Sequence, residues 1–381
     1  MHHRFGRLIA AAAVSCLLAA CGGDSHSAAI PSGSTALTPQ LNGGSGVATP
    51  TLYVSGQGAV FAYNLADSGD AAPVSKTTGY YYQAGGPGGV TASIAGIATN
   101  ADGDLALVQN FRSPQGDGNS CQVVRIPART STSAASATSA PCNNTIGGNT
   151  TGKAIGVTYT AGGAITSEID VLMHYIASGN SSVLSCNNDN IDQYEVDRYS
   201  VTSGTITADS SLCLDNGATN TYHAIAGSTN GAFFVDDTPA SGSDTIERYA
   251  STGGPAAATG TIPGAGPLAV SVNTATNTGY RVVASTTGSV TTIYNFKVQG
   301  ATMTFTHALG TFTNPVAALA VDNTGTVYVG VNQASGVTKV KVYGPGKTQA
   351  TDPDRILNNP VRRPNPAASP AAAITGIAIA Q

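Results

Sequence analysis

Charged side chains make up only 10% of this 381-residue chain. Its surface must therefore be held in solution by hydroxyl and amide side chains, as is common in extracellular β-proteins. Beyond residue 20 no segment reaches eighteen uninterrupted apolar residues, which excludes a membrane-spanning helix there. No C-x-x-C spacing occurs, and this argues against a structural zinc site. No G-x-S-x-G elbow occurs either, so a serine hydrolase of the α/β type has no support. No stretch repeats its apolar residues at a helical period. Basic residues number 17 and acidic ones 21, and losing Arg4 and Arg7 with an N-terminal leader would leave a net charge of −6. That balance argues against a nucleic-acid partner.

What is present begins at the N-terminus. His2, His3, Arg4 and Arg7 precede an apolar run over residues 8–20, the layout of a secretory signal. The run is too short to span a bilayer, which takes about twenty residues. It closes on Leu18-Ala19-Ala20-Cys21-Gly22-Gly23, which resembles the lipobox of bacterial lipoproteins. The resemblance implies cleavage after residue 20, lipidation of Cys21 and export. With Gly22 following the cysteine, it points to the outer membrane in a two-membrane bacterium. Several acyl chains on one cysteine make a stable anchor, since each buried methylene contributes about 0.8 kcal/mol. Residues 21–50 are Ser, Gly, Ala, Thr and Pro with almost no large apolar side chain, so they read as a tether. As a flexible coil it reaches roughly 30 Å.

Of six cysteines, Cys16 leaves with the leader and Cys21 takes the lipid. The remaining Cys121, Cys142, Cys186 and Cys213 read as two disulfides in an exported chain. Three pairings are open; Cys121 with Cys142 and Cys186 with Cys213 is favoured, because each pair brackets one polar excursion.

From residue 51 to 381 short apolar runs alternate with turn residues, the pattern of an all-β domain. The runs also repeat: an inner strand, a Gly or Asn turn, a second strand, then a third that usually carries a tyrosine. The clearest copy is 315–330 followed by 338–346, and weaker ones are 93–108 with 122–126 and 222–235 with 245–249. Residues 268–272, 280–283 and 291–298 make another, and 154–201 one more with a long insertion. The chain starts at 52–55 and 60–64 without a first strand, and 374–380 supplies it. Joining both termini in one unit closes a ring and removes a free edge. The count is six, to within one, at about 55 residues per unit.

These copies resemble NHL-like β-propeller repeats, in which an apolar strand ending in Val-Asp meets a Gly turn and a Val-Tyr-Val strand. Val321-Asp322, Gly325 and Val327-Tyr328-Val329 match best. The resemblance implies an all-β, six-bladed propeller over 51–381 and carries no activity with it.

Few residues carry recognisable chemistry. Residues 147–154 approach the phosphate-loop pattern, but Ala154 stands where Ser or Thr should bind magnesium, so no nucleotide partner is expected. His26, His174, His223 and His307 lack metal-ligand spacing. Carboxylates drawn from several blades into a central channel would give a calcium or hydrolase site. The candidates are Asp236, Asp237 and Asp322 near strand ends, with Asp189, Asp192, Glu195 and Asp197 in the long insertion. The simpler reading is that Asp322 and Asp102 support tight turns through their own backbone. Asn100-Ala-Asp102-Gly-Asp104 starts like a calcium loop but lacks the downstream Glu. The expected protein is a membrane-tethered propeller without catalysis and without a cofactor beyond a structural calcium, binding an envelope protein or glycan. The rivals are a calcium-dependent hydrolase or lyase of the lactonase-like propeller class and an adhesive surface protein.

Overall fold

A computed structural model describes residues 50–56, 58–78, 92–100, 102–112, 119–127, 137–142, 150–162, 166–177, 193–214, 220–228, 231–239, 241–251, 254–271, 280–361 and 373–380. All of them lie within one compact unit, 35–381. The expected leader, nearly all of the expected tether, Cys21, His26, Cys186, Asp189 and Asp192 lie outside the described residues.

The described residues are all-β, with no helix among them. Strands β1 (Thr51–Gly56), β2 (Ala59–Asn64) and β3 (Ser75–Thr78) share a sheet with the last strand, β24 (Gly376–Ala380), in the order β24-β1-β2-β3. A second four-stranded sheet holds β4 (Ala92–Thr99), β5 (Leu105–Arg112), β6 (Asn119–Ile126) and β7 (Thr138–Pro141). A third holds β8 (Thr150–Gly162), β9 (Thr166–Ala177), β10 (Gln193–Thr202) and β11 (Thr205–Cys213).

The next sheet has eight strands. One antiparallel meander is β12 (Thr221–Gly227), β13 (Phe233–Thr238), β14 (Thr245–Tyr249) and β15 (Ala258–Thr261). The other is β16 (Leu268–Val270), β17 (Arg281–Thr287), β18 (Val290–Gln299) and β19 (Thr302–Phe312). They join through one parallel pairing, Thr259 with Thr302, and the end strands β12 and β16 touch. The last sheet is β20 (Val316–Val321), β21 (Val327–Asn332), β22 (Thr338–Tyr343) and β23 (Arg355–Asn358).

Burial follows position in each meander. In the leading strand β24 all five residues are buried, so it is covered on both faces and reads as a continuous small and β-branched run. Farther out the period of two appears: β22 alternates buried and half-buried residues over Thr338–Val342, as expected where only one face meets a core.

Six apolar clusters fill the seams between successive meanders. One joins β1 and β2 to β4–β6, another β5–β7 to β8–β11, a third β9 and β10 to β12–β14. The fourth and fifth run from β12 to β19 and from β16 to β22, and the sixth returns from β20–β23 to β1 and β2. The leading strands touch in the same cyclic order, β24 to β4, β8, β12, β16, β20 and back to β24. Their approach is close enough to demand glycine. A Cβ on Gly227 would lie 2.0 Å from the Tyr159 carbonyl oxygen, and one on Gly96 3.0 Å from the Val157 nitrogen.

The turn after the leading strand recurs. Asn100 accepts backbone N–H bonds from Asp102 (3.1 Å) and Asp104 (2.8 Å) through Oδ1. Asp322 Oδ1 accepts from the Thr324 and Thr326 amides, both at 2.9 Å. Each turn ends on a left-handed glycine, Gly103 at φ 82° and Gly325 at φ 87°, where other residues are strained.

Cys121 and Cys142 are joined by a disulfide across 21 residues. Cys213 is also disulfide-bonded. In the chain-entropy account a loop of that length contributes about 3 kcal/mol. Cys142→Ala is therefore expected to lower the free energy of unfolding by about that amount, read from the shift in urea midpoint at unchanged slope.

Candidate functional site

The leading strands enclose two cavities end to end. The larger, about 340 Å³, is walled by their N-terminal halves and the residues just before them: 95–97, 155–157, 223–225, 265–268, 317–319 and 375–377. The smaller, about 100 Å³, lies against the C-terminal halves. Ile97, Val157, Ile225, Leu268, Leu319 and Ile377 line both. These six aliphatic side chains, one from each leading strand, are 5–7% exposed, so they form a constriction between the cavities.

Above the constriction the wall is Ala and Gly. Register shifts in β4, β8, β12 and β20 leave Ala95, Ile155, His223 and Ala317 without a partner across the ladder. Such β-bulges re-aim a strand locally and favour the rims of closed sheets. The neighbouring residues Gly96, Gly156, Ala224 and Ala318 carry no polar side chain.

One titratable group belongs to this wall and a second stands behind it. Among the described residues, His223 is the one titratable side chain in the lining of the larger cavity. Its Nε2 lies 3.1 Å from Thr238 Oγ1, and burial holds its pKa below the ordinary histidine value, with the nearby Asp244 acting against that. Behind the wall stands Asp236 on β13, fully buried. Its Oδ2 accepts the backbone N–H of Gly266, a lining residue, while Oδ1 has no hydrogen-bond partner among the described residues. Burial pushes its pKa up to about 8; the Gly266 bond lowers it, and Asp244 and Asp237 raise it further.

Register shows how unusual this carboxyl is. Asp236 stands opposite Ala224, and the residues opposite Gly96, Gly156, Ala318 and Gly376 are Val108, Leu172, Gly330 and Ser55. A carboxylic acid thus replaces an uncharged residue at a repeated buried position, where it costs stability unless it is used.

The remaining candidates stand apart. Asp237 Oδ2 accepts from Asn220 Nδ2 at 3.1 Å. Asp322, past the C-terminal end of β20, is engaged in its own turn. Asp197 on β10 accepts from Tyr175 and Ser211, both at 2.7 Å, and Glu195 beside it is fully buried. Asp104 pairs with Arg125 at 2.5 Å. His174 stacks on Tyr194 with ring centroids 4.4 Å apart, and His307 meets Tyr294 edge-on at 4.7 Å. Lys153, from the phosphate-loop-like segment, sits inside β8 opposite His174. Among the described residues, no group of three His, Cys, Asp or Glu side chains is arranged to hold a metal ion.

One buried ionic cluster escapes reading from the sequence. Asp170 on β9 faces Arg198 on β10 in register, with Arg198 Nε 3.5 Å from Asp170 Oδ1 and 3.9 Å from Glu168 Oε1. The guanidinium lies over the Phe233 ring at 5.6 Å. Burial raises the Asp170 pKa to about 7, opposed by Arg198. This cluster fixes the seam between the third sheet and β13 and lies away from the cavity lining.

The chain matches no protein-family model and no curated protein sequence.

Proposed function

We propose that this chain is a lipid-tethered, six-bladed β-propeller that acts as a non-catalytic binding module of the bacterial cell envelope. The ligand sits in the mouth of its central cavity. The observation that carries this reading is the closed cycle of leading strands, each of which brings one aliphatic residue to the shared constriction. Counting the eight-stranded sheet as two blades gives six, with β24 completing the blade begun by β1–β3. A pocket at the hub of such a ring, concave and already formed, is where small ligands are commonly held. Cys21 anchors the protein in the outer membrane, and the tether lets the cavity face its ligand clear of the lipid.

The two halves of this proposal are tested together in cells. Cys21→Ser should lose fatty-acid labelling and leave the membrane fraction. A photo-crosslinking residue at Ala95 on the cavity rim should give a discrete adduct in intact envelopes. The same residue at Val74, 41% exposed beside the outer strand β3, should not. Labelling that persists in Cys21→Ser sinks the anchor, and identical adducts from both sites sink the binding role.

A further inference from the structure

We propose that the larger cavity binds an uncharged, sugar-sized ligand, such as the terminal residue of a glycan, with its apolar face or substituent on the six-residue aliphatic ring and its hydroxyl or amide groups against the main chain of the rim. The inference rests on the binding-module reading above and narrows it to a ligand class.

Three observations on the wall select the class. First, among the described residues the lining contains no Asp, Glu, Lys or Arg, so a charged ligand would give up its water without a counter-ion, which is strongly unfavourable. Second, only His223 and Thr375 among the described lining residues bear a polar side chain, while the bulges take Ala95, Ile155 and Ala317 out of the ladder pairing and leave their peptide groups as the donors and acceptors for an occupant. Donors and acceptors therefore surround the occupant, which suits a molecule bearing hydroxyls on all sides. A bare aliphatic chain would leave those groups unpaired, which disfavours it. Third, the floor is aliphatic and only 5–7% exposed, so the occupant stops there. A volume of about 340 Å³ stands at the low end of small-molecule sites, roughly 300–1,000 Å³, and holds one small ring rather than a chain of them. Partial burial lowers the His223 pKa, which leans the same way as the uncharged wall.

The experiment titrates the full-length lipoprotein in detergent with four probes: N-acetylglucosamine, glucose, gluconate and hexanol. Binding is followed by calorimetry and by ligand-observed NMR. Saturable binding of one or both uncharged sugars is expected, weakened at least tenfold by Ala317→Leu, which fills the rim, and unchanged in Val74→Thr on the outer edge. Ala224→Leu serves as the second rim variant should Ala317→Leu unfold at the assay temperature. Preference for gluconate or hexanol, or sugar binding untouched by both rim variants, overturns the ligand class. If no probe binds while the Ala95 adduct still forms in envelopes, the class is wrong and the binding role stands. If the adduct is also absent, both fall.

Discussion

Between pH 7 and pH 8 the folded chain is expected to lose stability, and Asp236→Asn is expected to remove most of that loss. The carboxyl is fully buried, and its pKa is raised from 3.8 to about 8. An unfolded chain releases this proton near 3.8, whereas the folded chain keeps it to about 8. The stability owed to the group is therefore complete below the unfolded value and is lost as pH rises through the folded one. Each pH unit in the interval is worth about 1.4 kcal/mol per group, so the whole interval amounts to several kcal/mol. Other groups confine the clean window. The raised pKa of Asp170, to about 7, gives a slope of the same sign at lower pH, and Glu168 and Asp197 lean the same way. His223, with its lowered pKa, adds a slope of opposite sign below the ordinary histidine value of about 6.5. Between pH 7 and 8 Asp236 dominates. Urea midpoints at pH 7 and 8 should differ by about 1 kcal/mol in the wild type and scarcely in Asp236→Asn. Equal slopes in the two proteins would show that Asp236 does not hold its proton in the fold.

The all-β class is legible because the strongest copies carry their own punctuation. In residues 315–343 two apolar strands flank Asp322-Asn323-Thr324-Gly325, and the acid, the hydroxyls and the glycine are the residues that turn requires. The outermost strands are not legible. Ser75–Thr78, Thr138–Pro141 and Ala258–Thr261 hold no alternation of apolar residues. They become strands because an inner neighbour offers an unpaired edge, which is tertiary context and not local propensity. Thr302–Phe312 alternates Thr with Met303 and Phe305 only over its first five residues, yet it is held opposite β18 along most of its length.

The candidate site is harder still, because its wall is made of residues that carry no chemistry in their side chains. A search for convergent carboxylates passes over Ala95-Gly96 and Ala317-Ala318, which look like ordinary strand. Their role depends on a bulge, and a bulge depends on register. Asp236 stands out in the sequence as a carboxylate near a strand end, but its burial follows from packing against the loop at Gly266. Asp170 and Arg198 lie 28 positions apart and meet only through the β9–β10 pairing.

Ending the chain after residue 372 is expected to abolish cooperative folding, although it removes only nine residues from the C-terminus. Those residues supply β24, whose Ile377, Ala378, Ile379 and Ala380 are 3–8% exposed. They pair with β1 from Thr51 to Ser55 and bring Ile377 to the cavity constriction. Ile374, Ile377 and Ile379 belong to the cluster between β20–β23 and β1–β2, while Ala378 and Ala380 belong to the one between β1–β2 and β4–β6. One short strand thus feeds two of the six seams. Losing a buried isoleucine typically costs 2–5 kcal/mol, so three of them together match or exceed the roughly 5–15 kcal/mol net stability of a domain. The cut also leaves β1 as an exposed edge, a template for aggregation. A peptide of residues 373–381 added in trans should restore a single unfolding transition, because the vacancy it enters is shaped by strands on both sides. A truncated chain that unfolds cooperatively at the wild-type urea midpoint without the peptide would show that closure by β24 contributes little. Rescue by a peptide carrying Ile377→Asp and Ile379→Asp would show that backbone pairing alone, and not the burial of these two side chains, closes the ring.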